Sequence, residues 1–339
     1  MKRISIYTAA VAVACAAFAA CSNEFELNET YKNIPIVYGI LSLQDTAHYI
    51  RVERAFIDTK TSALLLAKRA DSLYYSTAVV QLQNTASGQT FTLQKVDGNT
   101  EGYVRDTGIF ATNPNYLYKI KNSQLALQGG IKYKLTVKNA SGDVKNIAES
   151  TAEVVDTVRV TFPFPGNAVR WTYDNTLSFA WSFNNQNTRV FDLRAILHYD
   201  EYEASNPAFL TSKTLEWDIA QNIKPVENSA TSIFYRVQGI EWYKFIGKSI
   251  PTSLTKKRIF RNFDVVVEGG GEALKEYINA GQVNGGLTGS ELPPTYTNIN
   301  GGYGIFSSRT KNTQKAYPVD SATRDSIANG QYTKQLNFQ

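Results

Sequence analysis

Cysteine, histidine and methionine are scarce in this 339-residue chain, which contains 2 Cys, 2 His and 1 Met. Both cysteines, Cys15 and Cys21, lie close to the N-terminus. Everything that follows Cys21 is therefore without a disulfide, a thiolate nucleophile or a cysteine-ligated metal. Beyond residue 20, no apolar stretch is long enough to cross a bilayer as a helix. We expect neither a metal nor an organic cofactor.

The first 20 residues have the pattern of a secretory signal peptide. Lys2 and Arg3 precede an uncharged, alanine-rich run, and small residues precede Cys21. This arrangement resembles a bacterial lipoprotein signal, in which the cysteine is acylated and becomes the mature N-terminus. Phe18 stands where an aliphatic residue is commoner. We predict lipidation of Cys21, with residues 21–33 as a flexible, acidic tether between the lipid and the fold.

The positive charge of the chain is too small and too dispersed for a nucleic-acid partner. The net charge of +5 falls to +3 once Lys2 and Arg3 are removed with the signal peptide. The densest basic cluster, at residues 256–258, is too short to follow a phosphate backbone. We interpret it as the solvated start of a strand and predict no binding to nucleic acid.

Alternating apolar and polar residues predict antiparallel strands in the first half of the mature chain. Residues 34–43 form an apolar run, residues 47–56 alternate, and the polar turn 44–46 between them predicts a hairpin. Residues 132–138 alternate strictly, and residues 144–155 provide a return strand. Short strands that are apolar on one face are typical of an antiparallel sandwich.

The second half has a similar pattern, with three short helices inserted. Residues 176–183 and 189–202 alternate as strands. Residues 272–280 predict a helix after three glycines, and residues 321–329 predict another with Asp320 as N-cap. Residues 240–250 are a third candidate helix.

We therefore predict a mainly β protein of two antiparallel β-sandwich domains, immunoglobulin-like or fibronectin-III-like, with a few short helices. The prolines at positions 163 and 165 favour a domain boundary or strand bend nearby. The predicted division is a signal peptide at 1–20, a tether at 21–33, an N-terminal sandwich at 34–156 and a C-terminal sandwich at 157–339. The loop 281–302 carries six glycines and two prolines, and it is either a functional loop or a surface insertion.

The residues that could support catalysis are few and form no recognised motif. His48 lies on the apolar face of a predicted strand, which favours a structural role. His198 shares a strand face with Asp200, but two ligands do not make a metal site, and Arg194 on that face opposes a cation. Gly269-Gly270-Gly271 lacks the Lys-Ser/Thr of a phosphate loop and is interpreted as a hinge. A hydrolase based on two carboxylates stays open, because their spacing is spatial.

Aromatic residues and Asp-Ser/Thr pairs supply the remaining candidate sites. Trp171, Trp217 and Trp242 are candidates for ligand binding, because exposed aromatic faces stack on sugar rings and anchor interfaces. Five Asp-Ser/Thr-apolar tripeptides resemble the O-glycosylation sequon of Bacteroidota envelope proteins. The candidate glycosylated residues are Thr46, Ser72, Thr157, Ser321 and Ser326.

Two segments resemble a family of Bacteroidota lipoproteins with a large β-rich domain of unknown function. Residues 35–56 resemble the opening hairpin of that family, and residues 296–306 resemble its glycine-rich closing segment. The resemblance covers most of the mature chain and implies an outer-membrane or periplasmic lipoprotein. It brings no known activity and no catalytic residues. In the closing segment, glycine is expected to let a final strand approach closely or turn sharply.

The sequence thus predicts a lipid-anchored, non-catalytic cell-envelope protein at the outer membrane. Its first predicted partner is another envelope protein, contacted through an edge strand or through the loop 281–302. The alternative is a glycan-binding surface lipoprotein of a polysaccharide-uptake system, which needs exposed faces on Trp171, Trp217 or Trp242.

Overall fold

The computed structural model describes residues 34–55, 61–139, 145–183, 187–227, 230–283 and 296–339. Cys21, the predicted signal peptide and the predicted tether lie outside these residues, as does most of the loop 281–302. Within the described residues the chain forms strands β1 Pro35–Leu41, β2 Ala47–Arg54, β3 Ala78–Asn84, β4 Thr90–Thr92, β5 Gln94–Asp97, β6 Tyr116–Lys121, β7 Lys132–Asn139, β8 Lys145–Glu153, β9 Val158–Phe162, β10 Thr176–Phe183, β11 Thr188–Glu203, β12 Thr211–Ile223, β13 Ser232–Gln238, β14 Lys256–Gly271 and β15 Tyr303–Tyr317.

In the described part of the chain, six α-helices connect or cover these strands: α1 Ala63–Ala67, α2 Ala70–Leu73, α3 Asn122–Leu125, α4 Gly239–Ser249, α5 Glu272–Val283 and α6 Ser321–Asn329. The predicted cap is confirmed, and a helix follows the three glycines as predicted, but the glycines themselves pair with β11 as the last residues of β14 and do not form a hinge. β14 ends at Gly271 and α5 begins at the next residue, while the Asp320 carboxylate accepts a hydrogen bond from Thr323 N–H at 2.8 Å. No helix in the described ranges has the length and apolar character needed to span a membrane.

One long sheet is shared by two sandwiches. It has eight strands in the order β12-β11-β14-β15-β1-β2-β6-β5. A four-stranded sheet, β4-β3-β7-β8, packs on one half of it, and a three-stranded sheet, β13-β10-β9, packs on the other half. The predicted mainly β class with antiparallel sandwiches is confirmed, and one pairing, between β1 and β15, is parallel.

Each sandwich has its own apolar core, built from the faces that alternate inward. The first core lies between the four-stranded sheet and β1, β2 and β6; it includes Val37, Ile50, Leu82, Leu135 and Phe306. The second lies between the three-stranded sheet and β11 and β14; it includes Trp171, Phe179, Trp181, Leu193 and Val265. The inward-facing residues predicted from alternation in β2, β7, β10 and β11 are buried in these cores.

Strand β15 connects the two sandwiches. Residues 303–308 pair with β1, and residues 309–317 pair with β14. The chain passes from the first sandwich to the second between β8 and β9, near the predicted boundary at residues 156 and 157. Phe306 of β15 nevertheless completes the first core, so that core needs a segment from the C-terminal part of the chain.

The predicted close approach in the glycine-rich closing segment is confirmed at two positions. Gly304 has φ +114°, and a Cβ there would lie 1.9 Å from the Val37 carbonyl oxygen. A Cβ on Gly302 would lie 2.3 Å from the Pro35 carbonyl oxygen. Only a residue without a side chain lets β15 approach β1 this closely.

Candidate interaction site

The three candidate tryptophans are inside the second core. Trp171 and Trp242 are 0% exposed, and Trp217 is 9% exposed. The rings of Trp171 and Trp242 stack with their centroids 4.1 Å apart. Large aromatic side chains contribute most when their whole area is removed from water, and here they fill the space between the sheets and α4. The exposed aromatic face that the glycan hypothesis requires is therefore not formed by these residues.

His198 and Asp200 have separate polar partners on the outer face of the long sheet. His198 Nε2 lies 3.1 Å from Asp264 Oδ2. Asp200 accepts hydrogen bonds from the Ser212 hydroxyl at 2.7 Å and from the Arg261 guanidinium at 2.6 Å, and these groups hold its pKa below the ordinary value. No cluster of three or more metal-binding side chains occurs in the described part of the chain. The pairings explain why neighbouring ligand types on one strand need not form a site.

His48 is buried at the start of β2, as its place on the apolar face predicts. Its side chain is 1% exposed, and Nε2 lies 3.1 Å from the Asn122 side-chain oxygen. Nδ1 has no hydrogen-bond partner among the described residues. Removal from water penalises the imidazolium form, so the pKa of His48 is lowered.

This lowered pKa predicts a loss of stability in mild acid. Below about pH 6.5 the unfolded chain binds a proton at His48 that the folded chain resists, so stability falls as the pH drops toward the folded pKa. The slope can reach about 1.4 kcal/mol per pH unit for one group. Urea unfolding between pH 7 and pH 5 measures it, and H48Q is expected to flatten the curve. H198Q keeps His48 and should retain the fall; an unchanged slope in H48Q would contradict the assignment.

The candidate glycosylation sites differ in exposure. Thr46, Thr157 and Ser321 are exposed, and Ser326 is half-buried. Ser72 is 8% exposed within α2, which leaves no room for a sugar on the folded chain. Asp-Ser at positions 71 and 72 is explained by the local helix instead, since short polar side chains favour helix starts. The other four positions stay predictions.

Most strands at the sheet edges carry features that discourage pairing with another chain. Edge strands β4 and β5 are three and four residues long. Edges β8, β9 and β12 contain register irregularities, and β12 also carries charged residues along its length. Short length, bulges and charges are the usual protection of a sheet edge.

Strand β13 is an edge whose only such protection is the charge of Arg236. It is seven residues long and contains no lysine, proline or glycine. Its pairing with β10 runs from Ser232 to Gln238 without a bulge. Phe234 points outward and is 56% exposed, and the Arg236 guanidinium lies 4.9 Å from the centre of its ring. This edge presents both backbone groups and an aromatic side chain to an approaching strand.

The β13 edge and β12 lie on one side of the second sandwich. β9 packs near β14 and β15, so β13, at the other edge of its sheet, lies on the same side as β12. Half-buried apolar side chains from both strands line this side. They are Leu215, Ile219, Ile223, Ile233, Tyr235 and Val237. An added strand would find alternate apolar contacts there as well as backbone hydrogen bonds.

The chain matches no family model and no curated protein. Among solved structures it is similar to the FN1-FN3 domains of chicken CNTN1, with a TM-score of 0.22 and 12% identity over 84% of this chain and 67% of that one. It is also similar to the C-terminal globular domain of oligosaccharyltransferase from Pyrococcus abyssi, with a TM-score of 0.21 and 10% identity over 85% of this chain and 50% of that one. These TM-scores are too low to add to the fold described above.

Proposed function

We propose that the protein is a lipid-anchored component of the cell envelope that binds another envelope protein through the edge of β13. Acylated Cys21 holds it to the outer membrane, and the partner adds a strand to the three-stranded sheet. The observation that carries the binding role is the regular, bulge-free edge of β13 with Phe234 exposed on it. The lipoprotein-like signal that ends at Cys21 supports the anchor.

Main-chain hydrogen bonds would give such an interaction its affinity, and side-chain pockets would give it specificity. The outward residues Ser232, Phe234, Arg236 and Gln238 would meet the solvent face of the added strand. The inward residues Ile233, Tyr235 and Val237 pack against the second core and hold the strand in place. Phe234 is the natural anchor of the contact, because aromatic residues dominate interface energetics.

The test is recovery of the partner from the native host. The protein would carry a C-terminal tag, the outer membrane would be solubilised gently, and stoichiometric partners would be identified by mass spectrometry. F234K places a charge on the edge and is expected to lower partner recovery about tenfold or more, because a lysine on an edge strand blocks strand addition. Its position is exposed, so folding should be retained.

F164K is the matched control, because Phe164 is 60% exposed and lies outside β13. It should leave partner recovery unchanged. Equal recovery with F234K and the wild type would exclude the β13 edge as the contact. A monomer without any partner, together with binding on a glycan array, would favour the glycan class instead.

A further inference from the structure

The chain enters the fold at one end of the first sandwich, and several connecting segments project from the same end. Ala55 N–H, just after β2, donates to the Ile34 carbonyl at 2.8 Å. The Arg54 guanidinium donates to the carbonyls of Asp71 and Ser72, which places the two short helices there. β6 is antiparallel to β2, so the connection 98–115 that leads into β6 emerges at this end too.

These segments expose a concentration of large apolar side chains, which we call the tether-end surface. Its members and their exposed fractions are Leu64 59%, Leu65 60%, Tyr103 51%, Val104 74%, Ile109 54% and Phe110 39%. The Ala111 N–H donates to the Ala67 carbonyl at 2.8 Å, so the two segments are directly joined. Single exposed apolar residues are ordinary, whereas a group of this kind marks a contact surface.

The tether-end surface is held in place by a buried polar network. The Arg105 guanidinium donates to Glu53 Oε1 at 2.7 Å and to the Tyr74 hydroxyl at 3.2 Å. The side chain of Asn115, which is 0% exposed, donates to the Tyr103 carbonyl at 2.7 Å. The hydrogen bonds therefore fix the backbone that carries the exposed side chains. Little conformational entropy of that backbone is lost when the surface is covered.

We propose that the tether-end surface lies against the lipid bilayer that holds the acylated Cys21. Twelve residues, 22–33, separate that cysteine from Ile34. At full extension the connection reaches at most about 45 Å, and a relaxed chain spans less. The end of the fold where the chain enters is thus the end closest to the membrane. This inference rests on the lipid anchor in the proposed function.

The charges around the tether-end surface favour apolar insertion over electrostatic attraction. Arg69 pairs with Asp71 at 2.8 Å, and Arg105 pairs with Glu53. Among the described residues of these segments, the remaining exposed charges are Lys68 and Asp106, which have opposite signs. Docking is therefore expected to depend weakly on anionic lipid and on salt. Tyr103 has the amphipathic ring that suits the headgroup level.

The test measures lipid contact at the surface while the anchor is monitored separately. The full-length chain with L65C would be produced in a bacterial host that acylates lipoproteins, and the intact mass would report the lipid on Cys21. Since Cys15 belongs to the predicted signal peptide and Cys21 carries the lipid, an environment-sensitive dye would react with the introduced thiol. The protein would be reconstituted in two kinds of vesicle. One contains phosphatidylethanolamine mixed with anionic phosphatidylglycerol, and the other contains phosphatidylcholine alone.

F209C is the matched control, because Phe209 is 77% exposed beyond the end of β11, far along the sheet from the tether-end surface. We expect a blue-shifted dye, quenched by spin labels in the upper acyl chain, at position 65 and not at position 209, in both lipid mixtures. A second experiment attaches the dye to I109C and replaces both leucines, L64S and L65S. The fraction of protein docked on the vesicles should then fall about tenfold or more, because two leucine side chains no longer enter the lipid.

The outcomes separate the inference from the anchor. An acylated protein whose dye at position 65 stays in water would overturn the membrane contact and leave the anchor intact. A chain without acyl groups would overturn both. If the dye at position 65 is shielded from water in native outer membranes but not in pure lipid vesicles, the surface binds a protein partner. That result would overturn the lipid contact.

Discussion

Replacing Gly304, the glycine of β15, with alanine is expected to destabilise the protein by about 3 kcal/mol or more. The residue has φ +114°, a conformation that costs an L-residue about 1–3 kcal/mol. The new Cβ would also lie 1.9 Å from the Val37 carbonyl oxygen, so β15 would have to move away from β1. Urea unfolding measures the change.

The site of this substitution makes the effect informative for both sandwiches. All four tryptophans lie in the second core, so tryptophan fluorescence follows that core, whereas circular dichroism follows both sandwiches. If β15 couples the sandwiches into one cooperative unit, G304A lowers the urea midpoints of the fluorescence and circular-dichroism transitions by the same amount. Separate transitions would show that the sandwiches unfold independently.

G88A is the control for backbone strain alone. Gly88 has φ +76°, and nothing lies within 4 Å of the position that a Cβ would take. Its substitution should therefore cost about 1–2 kcal/mol, the conformational penalty without the clash. Equal losses for G88A and G304A would contradict the argument that close strand approach requires Gly304.

Local patterns in the sequence predict the strands whose two faces differ. Alternation places His48, Ile50 and Val52 inward in β2, and all three are buried. The N-cap at Asp320 is equally local, because a carboxylate three residues before a free N–H is fixed by the chain itself. These features depend on contacts within a few residues, which a sequence pattern can represent.

Strand β15 shows why the sheet order cannot be predicted in the same way. Residues 304–308 are buried on both faces, so they do not alternate, and Ser307 and Ser308 interrupt the apolar run. Ser308 is accommodated by hydrogen bonds to the backbone of Glu153 and Val155, which are about 150 residues earlier in the chain. Such distant partners leave no mark in the local pattern.

The candidate sites depend on the same distant contacts. β13 is an edge because of the strand order of the three-stranded sheet, and local sequence patterns do not predict that order. The residue type makes Trp171, Trp217 and Trp242 candidates for ligand binding, but burial of their large apolar area places them in the second core. The tether-end surface combines leucines from α1 with residues about 40 positions later, and only the folded chain joins them.

Arg258 illustrates how burial reverses an interpretation based on charge. The sequence places it in a basic cluster that we interpreted as the solvated start of a strand, and for this residue that interpretation is wrong. Arg258 is 1% exposed, and its guanidinium donates to Glu201, to the Leu336 carbonyl at 2.6 Å and to the Pro251 carbonyl at 2.9 Å. Without it the two carbonyls would lose this donor, and Glu201 would keep only its ion pair with Lys256.

We expect R258M to lower the free energy of unfolding by about 3 kcal/mol or more, since Glu201 Oε2 and the carbonyls of Leu336 and Pro251 each lose a donor. The C-terminal segment should loosen as well, because the bond from the guanidinium to the Leu336 carbonyl is lost. Urea unfolding measures the first effect, and hydrogen exchange at residues 334–339 measures the second.

R261M removes an arginine whose side chain is 46% exposed and should cost about 1 kcal/mol or less. If the two substitutions cost the same, the buried network around Arg258 does not hold the C-terminal segment against β14.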